Sequence, residues 1–407
     1  MTSAAASGVY KSVAIKRNSG AYGAAAGTSS AQLLRRTSST FDLGKDTYQS
    51  DEIRTDLQDA DFRHGVRRVP GQLAGELSPG TYSEIVQAIL GRDFAAVSAI
   101  TGLSLTIATS GSNYTITRAA GDFLSGGIKI GHVVRLTGAG LAVGNVAKNC
   151  FVIGVTATVL TVRVLNSLSL TAEGPIASCT VTVTGKCTYV PASGHTDYDY
   201  NIEHWFSDVA QSELYTGVKF FKADVALPAT GKGTIGFAGQ GQDVTTATSQ
   251  YFSSPTAVTT TAMVAAVNGL LLVGGSVAAY VTGLQISIDG TQSGDPVVGQ
   301  NTVPTLFREA IKVTGQFTAQ FVSGTLRDLF INETESSLSV VLTSSNSAAA
   351  DFVAITLPRI KVNGATKSDG KGALIQTLPF KALRNTSGGS GVSSEDTTIY
   401  VQDSAAA

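Results

Sequence analysis

Few residues in this chain stand at spacings that could do chemistry. Gly231-Lys232-Gly233-Thr234-Ile235-Gly236 fits G-x-G-x-x-G, a pattern whose glycines let the backbone approach a phosphate held at a helix N-terminus. Strand-like sequence on both sides supplies no such helix, so the segment reads as a hairpin turn. A second constellation is His195, Asp197, Asp199, Glu203 and His204, close to Trp205. Alternation could place several of its carboxylates on one strand face and so hold a cation. No third histidine is near and tyrosines are interleaved, so polar residues at the start of a strand explain the group adequately. His64 and His132 are isolated, and neither a G-x-S-x-G elbow nor H-E-x-x-H occurs, which removes two common hydrolase signatures. Cys150, Cys179 and Cys187 form an odd set without C-x-x-C spacing, as expected of buried thiols in a reducing compartment. No catalytic residue, metal or cofactor is expected.

Composition points to the scaffold rather than to a site. Only 14% of the 407 residues are charged, against about 25% in an average soluble domain. Lys and Arg number 29 and Asp and Glu 30, a net charge of -1, which excludes an electrostatic clamp on DNA or membrane. The 44 glycines, with abundant Ala, Ser, Thr and Val, suit short strands and turns and predict a mainly β fold. The uncharged stretch from Val244 to Ile288 contains a segment as long as a membrane helix. Asn268-Gly269 and Gly274-Gly275 interrupt it where hairpins would turn, and Leu284, Ile286 and Ile288 alternate with polar residues. Buried strands are expected there, with no membrane insertion. Met1 to Arg17 lacks the apolar run of a secretory signal, so synthesis in a cytoplasm is expected.

An internal repeat organises the chain. Val69, Gly71, Gln72, Leu73, Leu77, Gly80, Thr81, Glu84 and Ile85 recur as Val313, Gly315, Gln316, Phe317, Phe321, Gly324, Thr325, Asp328 and Leu329, each pair 244 positions apart. Alternating apolar residues predict a strand in each copy, followed by a glycine turn and a helix. Thr81 with Glu84, and more weakly Thr325 with Asp328, are placed to form capping boxes. Further on, hairpins are expected around 229–233 and 369–372. Gly71 to Gly231 is 160 positions and Gly315 to Gly370 is 55, so the first copy carries an excess of 160 − 55 = 105 residues. Short apolar strands within the excess predict an inserted small β-barrel or sandwich.

Charge is concentrated between Asp42 and Arg68. A polar connection of that length inside a compact domain is either a solvated loop or an arm that pairs with another subunit. Around it, Leu34-Arg35-Arg36, Ser50-Asp51-Glu52-Ile53-Arg54, Asp61-Phe62-Arg63-His64-Gly65 and Gly75-Glu76-Leu77-Ser78-Pro79-Gly80 occur in order. In these motifs the chain resembles the N-terminal half of the tail tube (major tail) proteins of long-tailed, siphovirus-type bacteriophages. The resemblance implies β-sandwich tube modules with a flanking helix, assembled into rings that stack into a hollow conduit for genome DNA.

Combined with the repeat, this gives a specific expectation. A flexible arm (1–30) precedes a first module (31–94 and 195–245), interrupted by an inserted β domain (95–194). A second module (246–384) and a C-terminal arm (385–407) follow. Two modules per chain imply a ring of three chains with pseudo-sixfold symmetry, against the hexamer of one-module relatives. Gln72, Ala74, Glu76, Gln316, Thr318 and Gln320 should face the lumen, a small polar lining that does not bind its cargo. Asp51, Glu52, Ile53, Arg54, Asp56, Leu57, Phe62 and Arg63 should make the contacts between rings. The resemblance also implies tape-measure, tail-tip and tail-terminator partners, and a place in the virion tail after assembly in the host bacterial cytoplasm. The competing readings are another β-rich virion component, such as a decoration or tail-completion protein, and a carbohydrate-binding module or enzyme.

Overall fold

A computed structural model describes residues 5–278 and 280–407. Among these, β-strands dominate, and the two α-helices are Ser83–Leu90 and Thr325–Ile331. Val69 and Leu73, and Val313 and Phe317, share one face of the strands Phe62–Glu76 and Lys312–Gln320 and are buried there. Both belong to a long antiparallel sheet. Its order is residues 37–42, Phe62–Glu76, Thr234–Gly241, Gln211–Pro228, Val281–Asp289, Lys312–Gln320 and Ile375–Ala382, with Phe352–Val362 and Thr366–Lys367 sharing the last position.

That order repeats after four strands. Phe62–Glu76, Thr234–Gly241 and Gln211–Pro228 follow one another as Lys312–Gln320, Ile375–Ala382 and 360–367 do. Leu73 lies opposite Phe237 in the first set and Phe317 opposite Leu378 in the second, so the 244-residue offset is also a spatial register. Behind the sheet, one apolar core runs through both halves and takes in Leu73, Ile85, Ile89, Phe220, Phe237, Phe317, Leu357 and Phe380. Two further layers close it, one of Lys11–Arg17, Tyr200–Phe206 and the first half of Gln211–Pro228, the other of Gly269–Val273, Ser336–Thr343, Phe352–Val362 and Tyr400–Asp403. The architecture is two tandem sandwiches, each with its helix.

The insertion forms a closed barrel of six strands between Ile100 and Val183. Its own core includes Leu105, Phe123, Leu136, Val152 and Val162. It does not stand apart from the second half, because Val133, Phe151 and Leu165 pack against Leu272, Val341 and Phe352. Its exit strand Lys186–Tyr189 pairs with Tyr400–Asp403.

Several local expectations are corrected. The first helix begins after Tyr82 with no side-chain cap; Thr81 bonds Ser78 and Thr259 through its hydroxyl, while Glu84 takes Arg17 and Tyr200. The second has Gly324 at its N-cap, so Thr325 lies one position inside the helix. The N-terminal segment expected as a flexible arm contains the strand Lys11–Arg17, with Val13, Ala14 and Ile15 buried. The C-terminal arm contains the buried strand Tyr400–Asp403. Residues 266–268 form a 3-10 turn rather than a hairpin at Asn268-Gly269, whereas Gly274 and Gly275, with φ of 59° and 75°, do turn one.

Candidate assembly surfaces

The free face of the long sheet follows from the pleat. Across it run two rows of neighbouring residues, Ala74, Gly236, Asp224, Ser287, Thr314 and Lys381, then Glu76, Thr234, Ala226, Gln285, Gln316 and Pro379. Gln72, Ala74, Glu76, Gln316, Thr318 and Gln320 all lie on this side and are half-buried or exposed, opposite the buried Leu73 and Phe317. Neither row contains an aromatic residue. Its carboxylates are locally matched: Glu76 pairs with Lys232, and Asp224 takes Lys222 at 3.2 Å and the Ser287 hydroxyl at 2.6 Å, while Lys381 at the end of the first row is exposed with no ion pair among the described residues. Gln316 donates to Gln285 at 3.1 Å. Such a face offers water hydrogen bonds but neither base-stacking platforms nor a row of free cations.

The halves of the chain join by backbone pairing. Residues 222–228 lie antiparallel to 283–289, with Asp224 opposite Ser287 and Val225 opposite Ile286. The loop between Val281–Asp289 and Lys312–Gln320 then folds over the first half. Asn301 and Leu306 accept hydrogen bonds from Arg67 N–H and Lys219 Nζ, and Leu306 and Val303 are buried with Val66. Burial holds the Arg308 guanidinium below its ordinary pKa, and it donates to the carbonyls of Ala88 and Ile89.

At its two outer edges the long sheet is unpaired. Among the described residues, 37–42 pair only with Phe62–Glu76, and Thr366–Lys367 only with Ile375–Ala382. These edges are related to the internal junction by the repeat: Phe41 stands where Ile286 stands, both in the core, and Thr366 stands where Asp224 stands.

The charged connection is a projecting hairpin. Gly44–Gln49 pairs with Phe62 to Arg68, and Ser50 N–H reaches Asp61. Tyr48 covers Gly65, where a Cβ would stand 2.3 Å from its ring. Arg54 pairs with Asp56 at 2.7 Å and Arg63 with Asp61 at 3.2 Å, and the first pair lowers the Asp56 pKa. Asp51 and Glu52 have no ion pair among the described residues. Phe62 meets His64 edge-on, whereas Ile53 and Leu57 are bare.

The other singled-out residues disperse. Glu203 is wholly buried and accepts from Ser212, Tyr251 N–H and Phe252 N–H. Asp199 accepts from Asn18 and Gly23, Asp197 pairs with Lys219, and His195 lies beside Gly91. Burial first, then Lys11 and Arg36, lower the His204 pKa to about 3; its ring meets the Ser39 hydroxyl at 2.8 Å. His132 is also lowered to about 3, by burial and Lys129, and bonds Tyr400 at 2.6 Å. Gly231 to Gly236 is a turn leading into the strand Thr234–Gly241, and all three cysteines are free and buried. Among the described residues no group of His, Cys, Asp and Glu could hold a metal, and no helix is long and apolar enough to cross a membrane.

Sequence reasoning missed Arg308 and the strand junction. Their one signal was that the loop after Asp289 is the repeat equivalent of the charged arm. Compared with known families, the chain matches the family described as phage tail tube protein over residues 11–382. No curated protein matches it.

Proposed function

Since the chain belongs to the phage tail tube protein family, we propose that it polymerises as stacked rings of three chains into a hollow tail tube through which genome DNA passes. The observation that carries this reading is the internal junction. A strand edge of one half already pairs with a strand edge of the other, and the repeat leaves the same two edges open at the ends of the sheet. Joining 364–370 of one chain to 38–44 of the next repeats the internal contact and closes a ring. Carrying the internal register across sets Thr366 opposite Asp42 and Lys367 opposite Phe41 of the neighbour.

In this ring the polar face turns inward, with Gln72, Ala74, Glu76, Gln316, Thr318 and Gln320 on the lumen. Closure with the cores outside the sheet favours this direction. The arms, carrying Asp51, Glu52, Ile53, Arg54, Asp56, Leu57, Phe62 and Arg63, project along the tube and bridge rings. The barrel decorates the exterior once per chain. The protein acts structurally, without cofactor or catalysis, in the virion tail, after assembly in the host cytoplasm with tape-measure, tail-tip and terminator proteins. Cryo-electron microscopy of the assembled protein tests the reading: three chains per ring are expected, and six complete copies per ring overturn the stoichiometry.

A further inference from the structure

The arm ends in two aliphatic side chains that its own chain leaves uncovered, Ile53 at 103% and Leu57 at 93% exposure. At the opposite end of the long sheet lies an apolar recess of about 210 Å³, lined by Leu227, Leu271, Val277, Tyr280, Leu284 and Val340 among others. Strand direction places the two at opposite ends. The arm leaves the Phe62 end of Phe62–Glu76, while the recess adjoins Pro228 and Gly283, which pair one step beyond the row containing Glu76. Chains stacked in the same orientation therefore bring the arm of one towards the recess of another.

We infer that each arm inserts Leu57, with Ile53 against the rim, into the recess of a chain in the adjoining ring; this rests on the stacked-ring reading. Each chain carries the tip and this recess, so the contact is satisfied once per chain whatever the ring size. An aliphatic tip fits an apolar recess because burial removes apolar surface from water on both sides. Charge agrees in sign. Asp51, Glu52 and Asp59 near the tip have no ion pair among the described residues. The segment before Ile375, the residue paired with Gln320, carries the exposed Lys367 and Lys371 against one exposed carboxylate, Asp369, none with an ion pair among the described residues, a net positive balance at the recess end. Complementary charges steer and orient such a contact more than they strengthen it.

The test uses the full chain carrying Leu57→Cys and Val277→Cys, assembled and then treated with a short bis-maleimide; the native cysteines are buried. A ladder of linked chains extending beyond a single ring is expected, with single-cysteine controls giving none. Leu57→Asp, at an exposed position, should leave a folded chain with at least a tenfold loss of tubes in electron micrographs, and Leu57→Met should restore them. Tubes without a ladder, linkage that stops at one ring, or normal tubes from Leu57→Asp would overturn the insertion while leaving the ring reading intact. If the unmodified chain forms no stacked rings, both fall.

Discussion

The Arg308 guanidinium donates to the main-chain carbonyls of Ala88 and Ile89 at 2.5 and 3.2 Å. It ties the loop between Val281–Asp289 and Lys312–Gln320 to the last turn of the helix in the first half. A cation at a helix C-terminus meets carbonyls that have no partner within the helix, where the helix dipole also favours positive charge. Arg308→Ala should lower stability by about 1–3 kcal/mol, read from urea midpoints. Arg308→Lys should recover only part, since one ammonium does not reproduce the guanidinium fork. An unchanged midpoint in Arg308→Ala would mean that the strand junction alone holds the halves together.

Phe317 and Gln316 are adjacent but face opposite sides of one strand. Phe317 is fully buried, with its ring 6.2 Å from that of Phe380. Phe317→Ala should cost about 3–5 kcal/mol through the cavity it leaves. Gln316→Ala, on the open polar face of the sheet, should change thermal unfolding little and still permit tubes. Equal destabilisation by both would contradict the assignment of faces.

Changes in the charged arm should separate folding from assembly. Reversing Asp51, Glu52 and Asp56 to Lys together should leave the circular-dichroism spectrum unchanged and prevent polymerisation. Single exposed pairs are worth only about 0 to 1 kcal/mol, so the Asp56 change alone, which breaks its local pair with Arg54, should be tolerated. Normal tubes from the triple variant would show that the arm's charges make no contact that assembly needs.

Stability should fall on acidification. His132 and His204 are held neutral, with folded pKa values lowered from 6.5 to about 3. The unfolded chain therefore takes up protons first, and the stabilisation present above about pH 6.5 is lost as pH falls towards about 3. Asp403 works in the opposite direction. Burial raises its pKa from 3.8 to about 6, so its contribution is fully present below about pH 4 and lost as pH rises through about 6. Two histidines with larger displacements outweigh one carboxyl. Urea midpoints should be lower at about pH 4 than at about pH 7, and a rising midpoint on acidification would show that Asp403 dominates.

Excising 95–193 removes more than an ornament. The cut deletes Lys186–Tyr189, the partner of Tyr400–Asp403, and uncovers Leu272, Val341 and Phe352. The deleted chain should be less soluble and unfold at lower urea than the full chain, unless those apolar residues are also replaced by polar ones. Wild-type stability after simple excision would show that the barrel contact contributes nothing.

What was legible in the sequence had a period. Alternation at Val69 and Leu73, echoed at Val313 and Phe317, located the strands that carry the candidate lining, and the excess length of the first copy located the barrel. Contacts without local periodicity were invisible. Arg308 meets Ala88 across 220 positions, and Gln402 bonds the backbone of Val133 across 269, partners that only the folded chain brings together. The capping boxes failed for a related reason: tertiary partners of Thr81 and Glu84 displaced the local bonds that their spacing allowed. The C-terminal segment looked mobile because Gly and Ser dominate 387–394, yet Tyr400 and Val401 beyond them are buried.

The strand Tyr400–Asp403 lies between Lys186–Tyr189 and Phe352–Val362, so it has a place in time as well as in space. A ribosome must reach residue 403 before the second sandwich can close around the barrel's exit strand. Pairings so distant in sequence form slowly, because a long loop must be closed before any contact rewards it. Until then two strand edges remain open, and edges of that kind invite mispairing. Tyr400–Asp403 thus supplies the pairing that covers both of those edges at once.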